Sequence, residues 1–149
     1  MSQIFDSVQQ FFTEDEWPFS DIGDNVLRTN FQGESGQWAC FAQTREEQNQ
    51  FVFYSVCPLS VPEDKRAVMA DFLTRANYGM ILGNFEMDFD DGEVRYKTSI
   101  DSNGDDLTPT FIRPLIYANV LMMDKYLPGV MAVTYGNIGP VEAIADIES

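Results

Sequence analysis

The sequence predicts an α+β protein, with a five-stranded antiparallel sheet and helices packed mainly on one face. Three observations predict it. Residues 85–100 alternate apolar and polar side chains on either side of Asp91-Gly92, the pattern of a hairpin with one face buried. Residues 37–57 hold two more short strand-like runs around a polar loop. Before, between and after these strands, apolar residues recur at helical spacing. The predicted order is α-β-β-β-α-β-β-α(α). There is no internal repeat and no linker long enough to divide the chain, so residues 1–149 read as one domain.

The elements follow in order. Ile4, Phe5, Val8, Phe11 and Phe12 fall on one stripe of a short helix, either core-facing or a latch for a partner. Thr13 to Asp21, holding Trp17-Pro18, ends that helix and crosses to the sheet. Val26–Gln32 is the first strand, and Gly33-Glu34-Ser35-Gly36 turns the chain into the second, Gln37–Thr44. With Arg45–Asn49 as a five-residue loop, the third strand, Phe51–Cys57, pairs Trp38 with Val56, Cys40 with Tyr54 and Ala42 with Val52 on one face. Ala39 with Ser55, Phe41 with Phe53 and Gln43 with Phe51 share the other. Both faces are then apolar, so both need a cover. The protein's own helices supply one. The N-terminal helix, a second copy of the chain or a bound client supplies the other, which makes Phe41, Phe51 and Phe53 the candidate partner or self-association surface.

Ser60-Val61-Pro62-Glu63 has the form of a capping box with an early proline, and predicts a helix from Ser60 to Tyr78 with Gly79 beyond its end. In the hairpin that follows, a two-residue loop at Asp91-Gly92 sets Phe89 against Val94, Met87 against Tyr96 and Phe85 against Thr98. On the opposite face it sets Asp88 against Arg95 and Glu86 against Lys97. Ile112, Leu115, Ile116, Asn119, Met122, Met123, Tyr126, Leu127, Val130 and Met131 keep helical spacing through Pro114 and Pro128. They predict one long kinked helix or two abutting ones. Gly139-Pro140 opens a last short helix.

Composition limits the chemistry. The chain is 44% apolar and 13% aromatic, which is a folded composition. A net charge of −15, with the nine basic residues scattered, argues against nucleic acid as a partner. No apolar run is long enough to cross a membrane and no basic-then-apolar leader opens the sequence, so a cytoplasmic protein without a membrane partner is expected. Cys40 and Cys57 read as two reduced, buried thiols.

The sequence holds no histidine, which removes Ser-His-Asp and Cys-His triads and most zinc sites. Asp101-Ser102-Asn103-Gly104-Asp105 has its glycine misplaced for a calcium loop and lacks the closing glutamate. No phosphate-binding glycine loop is present, and no cofactor is expected.

Pro62–Asp101 carries a resemblance. Glu63-Asp64-Lys65-Arg66, Arg75-Ala76-Asn77-Tyr78, Gly83-Asn84-Phe85-Glu86-Met87-Asp88 and Asp91-Gly92-Glu93-Val94-Arg95-Tyr96-Lys97 resemble the YbjN family, whose fold is similar to that of type III secretion chaperones. Asp124-Lys125-Tyr126-Leu127-Pro128-Gly129 and Gly139-Pro140-Val141-Glu142-Ala143 look like the branch of that family found in photosynthetic bacteria. The resemblance implies a sensory or stress regulator with no established reaction. The fold-level likeness implies a small acidic dimer that holds an extended segment of a client.

The expected function is therefore a non-enzymatic protein-binding or regulatory domain, self-associating as a homodimer and able to take a protein client. One alternative is a small-ligand sensor with a cavity under the sheet, near Met122, Met123 and Tyr126. The other is an enzyme using carboxylates from Glu86, Asp88 and Asp90 or from Asp101–Asp106. The basic neighbours of Glu86 and Asp88, and the absence of an apolar setting, count against that last reading.

Overall fold

The computed structural model of the protein describes residues 2–149. Helix α1 (Gln3–Glu14) leads into strand β1 (Phe19–Asp21), then β2 (Val26–Gln32), β3 (Gln37–Arg45) and β4 (Gln50–Ser60). Helix α2 (Arg66–Asn77) crosses to β5 (Asn84–Met87) and β6 (Glu93–Asp101), and α3 (Pro109–Tyr135) and α4 (Pro140–Glu148) close the chain. The sheet has six antiparallel strands in the order β1-β2-β3-β4-β6-β5. The architecture is the expected α+β one, but the strand count is corrected from five to six. The extra strand β1 is three residues long, too short to show alternation, and its Phe19 ring packs 5.5 Å from Phe12.

One core lies between the sheet and the helices. Val8, Phe11 and Phe12 of α1, Leu27, Cys40, Phe51, Phe53, Val94 and Tyr96 of the sheet, and Ile112, Ile116, Val120 and Leu127 of α3 have no more than a trace of exposure. Helix α1 therefore packs on the same face as α3 and does not cover the other one. Its N-terminus is tied down by Glu46, whose carboxylate accepts the Ile4 and Phe5 amides at 3.1 and 2.9 Å. Acceptors placed there satisfy N–H groups that a helix start leaves unpaired.

Helix α3 runs unbroken through both prolines, which resolves the choice between one helix and two in favour of one. Pro128 cannot donate to the carbonyl of Asp124, and Ser35 of the β2–β3 turn fills that vacancy with its Oγ at 2.7 Å. The Asp124 carboxylate meanwhile accepts the amides of Glu34 and Ser35 at 3.0 and 2.8 Å, and lies 2.6 Å from the same Ser35 hydroxyl, whose one proton it shares with the carbonyl. A β-carbon on Gly33 would collide with that carboxylate. One turn of helix and one hairpin turn thus clamp each other. Deeper in, Asn119 donates to the carbonyls of Phe53 and Tyr96 at 2.9 and 3.1 Å, bridging β4 and β6 from the helix above.

Two strand registers differ from the expected ones. The β5–β6 hairpin pairs Met87 with Val94, Glu86 with Arg95, Phe85 with Tyr96 and Asn84 with Lys97, two residues from the expected register. The loop is longer because Gly92 donates to the Asp88 carbonyl and Asp88 to the Glu93 carbonyl, closing residues 88–92 outside the ladder. A two-residue slip preserves the faces, so Phe85 and Met87 still point at the core, but Phe89 is in the loop and 58% exposed.

The β3–β4 hairpin slips by one residue. A four-residue connection, with Asn49 in the left-handed region at φ 58°, pairs Arg45 with Gln50, Ala42 with Phe53, Phe41 with Tyr54 and Cys40 with Ser55. One residue is enough to turn β4 over.

The expected helix from Ser60 is also corrected. Strand β4 continues to Ser60, which pairs with Glu93, so its side chain caps nothing. A 3-10 turn at Glu63–Lys65 then precedes α2.

Candidate functional site

Among the described residues nothing covers the face of the sheet opposite the helices. Alternation and register place on it Val26, Arg28, Asn30 and Gln32 of β2; Ala39, Phe41, Gln43 and Arg45 of β3; and Gln50, Val52, Tyr54 and Val56 of β4. From β6 and β5 come Glu93, Arg95, Lys97, Ser99, Asp101 and Glu86. The pairing Arg28 to Phe41, Phe41 to Tyr54 and Tyr54 to Lys97 forms one straight row across four strands. With strands about 4.8 Å apart, its two cationic ends stand roughly 14 Å from each other. The Arg28 guanidinium lies 5.9 Å from the Phe41 ring centre, and Arg95 lies 4.1 Å from that of Tyr54. Aromatic faces attract such cations by their quadrupole, so the row is ordered without acidic partners for Arg28. Shallow depressions flank it, one lined by Val26, Phe41, Tyr54 and Val56, another by Gln43, Arg45, Gln50 and Lys97.

The three residues singled out from the sequence divide between the two faces. Phe41 stands half-buried on the open face, whereas Phe51 and Phe53 are fully buried under the helices. Tyr54, Val52 and Val56 occupy the open positions in their place. The sequence holds all these side chains, but which of them lie together depends on the length of the β3–β4 turn.

The acidic row does not form a paired-carboxylate centre. Glu86 bonds to Arg95 at 2.5 Å and to Lys97 at 3.1 Å. Burial alone would raise its carboxyl, but the hydrogen bonds from Arg95 and Lys97 outweigh it and hold it below its ordinary value. Asp88 and Asp90 are exposed in the loop, where the Asp88 carboxylate accepts the Asp90 amide. In the 101–106 loop, Asp101 accepts the Asn103 amide at 2.8 Å. Among the described residues no three His, Cys, Asp or Glu side chains gather as a metal site, and no helix is long and apolar enough to cross a membrane. Cys40 and Cys57 are free and buried, and burial pushes both thiols up to about 12.

The methionine region also divides. Met123 is buried, with its sulfur 3.5 Å from that of Cys57. Met122 and Tyr126 line a groove of about 400 Å³ between α3, the end of α4 and the 78–82 loop. Tyr78 and Ile81 on its rim are 90% and 91% exposed. On the neighbouring edge strand β5, Asn77 accepts from the Phe85 amide and donates to the Phe85 carbonyl, which occupies both backbone groups of that residue.

The fold and this surface define a class: an antiparallel sheet backed by helices on one side, presenting aromatic and charged side chains on the other. The chain belongs to the YbjN family, described as "Putative bacterial sensory transduction regulator", which it matches over residues 5–131. Two solved structures share the fold. One is described as "Crystal structure of YbjN, a putative transcription regulator from E. coli"; it is 12% identical, with a TM-score of 0.60 over 89% of this chain and 90% of that one. The other, "Structure of the HopA1-SchA Chaperone-Effector Complex", is 16% identical, with a TM-score of 0.52 over 87% and 94% of the two chains. No curated protein matches the sequence.

Proposed function

We propose that the protein is a non-enzymatic, protein-binding regulatory domain whose partner docks on the open face of the sheet. The observation that carries this reading is the row Arg28–Phe41–Tyr54–Lys97, aromatic at its centre and cationic at its ends, on a face that none of the described residues covers. Aromatic and arginine side chains are the residues that dominate protein interfaces. The neighbouring chaperone–effector fold supports a protein partner by analogy. The reading takes the protein to be cytoplasmic, as its sequence leads one to expect. It sets it in the branch of the family found in photosynthetic bacteria, on the strength of the Asp124–Gly129 and Gly139–Ala143 sequences.

Self-association uses a different surface. Residues 76–85 carry no charge in a chain of net −15, and they include exposed Tyr78, Ile81 and Leu82. Two copies meeting there bring no charge of this segment against its own copy, and they bury exposed apolar side chains.

Photo-crosslinking in the native host tests the docking surface. Benzoylphenylalanine at position 41 is expected to capture protein that the same group at Tyr135, exposed on the helix side, does not. A folded protein that gives no adduct from position 41, or the same adducts from both positions, overturns the reading.

A further inference from the structure

We infer that the open face selects an acidic partner: an extended polypeptide segment with two carboxylates about four residues apart and aromatic or aliphatic side chains between them. This rests on the reading of that face as the docking surface and names the chemistry it recognises.

The charge distribution points to it. The face holds four cations, Arg28, Arg45, Arg95 and Lys97, and three acids, Glu86, Glu93 and Asp101, a net of +1. Removing these from the chain's nine cations and 24 acids leaves five and 21, a net of −16 everywhere else. The remainder of the chain repels an acidic segment on balance, and this face does not.

Two cations on the face have no carboxylate against them. The ion pairs are Arg75–Asp71, Arg95–Glu86, Lys97–Glu86 and those of Arg113, so Arg28 and Arg45 have no ion-pair partner among the described residues. Arg28 is held over Phe41, and Arg45 is oriented by its Nε bond to Gln50 at 3.0 Å. A guanidinium placed in this way is suited to a carboxylate, which it engages through two parallel N–H bonds.

The geometry sets the spacing. Arg45 stands four residues along β3 from Phe41, the strand partner of Arg28, so the two unpaired arginines are about 14 Å apart at the backbone, and at about 3.3 Å per residue of extended chain carboxylates reaching both are about four residues apart. Along that line Phe41 offers a ring face and Val26 aliphatic contact, with Tyr54 and Val52 beside them on the next strand. Nucleic acid also carries negative charge next to stacking groups, but its charge is continuous and would lie close to Glu86, Glu93 and Asp101 as well.

The test is selection from a displayed library of random peptides against the full chain. The selected sequences are expected to carry paired Asp or Glu around an apolar centre. Their binding is expected to weaken at least about tenfold with Arg28→Glu/Arg45→Glu, while the charge-matched helix-side control Arg75→Glu/Lys125→Glu leaves it unchanged. Arg28→Gln/Arg45→Gln serves as the milder pair if charge reversal impairs folding.

Peptides abolished by Phe41→Asp but indifferent to both arginine pairs overturn the acidic specificity and leave the docking face standing. Peptides indifferent to Phe41→Asp and to the arginines overturn both. An oligothymidylate that binds the wild type and is lost with Arg28→Glu/Arg45→Glu overturns the inference in favour of nucleic acid.

Discussion

A carboxylate placed at Phe53 and one placed at Phe41 separate the two registers of the β3–β4 hairpin. In the structure, Phe53 is fully buried between the sheet and α3, and Phe41 stands on the open face. Phe53→Asp removes a buried aromatic side chain, which costs about 3–5 kcal/mol in transfer and cavity terms. It also confines a carboxyl group in an apolar site, which costs several kcal/mol more or forces protonation. The total reaches or exceeds about 6 kcal/mol, against a stability of about 5–15 kcal/mol for a domain of this kind. Phe41→Asp loses only part of one ring's contact and leaves its charge in water beside Arg28, a change of about 1 kcal/mol. Urea unfolding followed by circular dichroism is expected to show Phe53→Asp unfolded or without a cooperative transition, and Phe41→Asp folded with a small shift in midpoint. In the five-residue-loop register both rings share one face, and the two variants behave alike. A cooperatively folded Phe53→Asp protein therefore refutes the placement of β4.

Asp124→Ala removes the acceptor of three hydrogen bonds from the β2–β3 turn and is expected to destabilise by about 1.5–3 kcal/mol, discounted for partial exposure. Burial raises the Asp124 carboxyl, but the bonds from Ser35 and Glu34 outweigh it and its value lies below the ordinary one. Its contribution is thus complete above about pH 4, the unfolded value, and is lost as pH falls through the lower folded value, so the gap between wild type and variant in urea titrations narrows in acid. Cys40 and Cys57, with thiols near 12, are expected to resist an aromatic disulfide reagent in native buffer and to react fully in urea; fast native labelling contradicts their burial. Ile81→Asp is expected to turn any dimer seen by light scattering into a folded monomer, and a dimer unaffected by it removes the 78–82 surface as the contact.

The parts of the fold that local pattern encodes were legible. The stripes of α1 and α3 and the one-sided alternation of residues 85–100 follow from which side chains avoid water. The faces of Phe85 and Met87 survive a two-residue slip because strand periodicity is two. The elements misread were those decided by distant groups. Ser60-Val61-Pro62-Glu63 has a cap's sequence, but a ladder partner on β6 claims Ser60. The 88–92 loop outcompetes the tight turn by its own internal bonds and by Arg66, which donates to the Phe89 and Asp90 carbonyls.

The amino-acid order alone determined the class of fold, the acidity and the absence of histidine, because these depend on composition and on periods of two and 3.6 residues, while the likeness to the family lay in local sequences such as residues 83–88. The tertiary structure decided which way β4 faces, and with it that Phe51 and Phe53 are core while Tyr54 joins Phe41 beside Arg28 and Lys97. That decision lies in a connection one residue shorter than the sequence suggested. Where both faces of a strand are apolar, its own pattern cannot say which face turns inward; only the helices that arrive from elsewhere in the chain can.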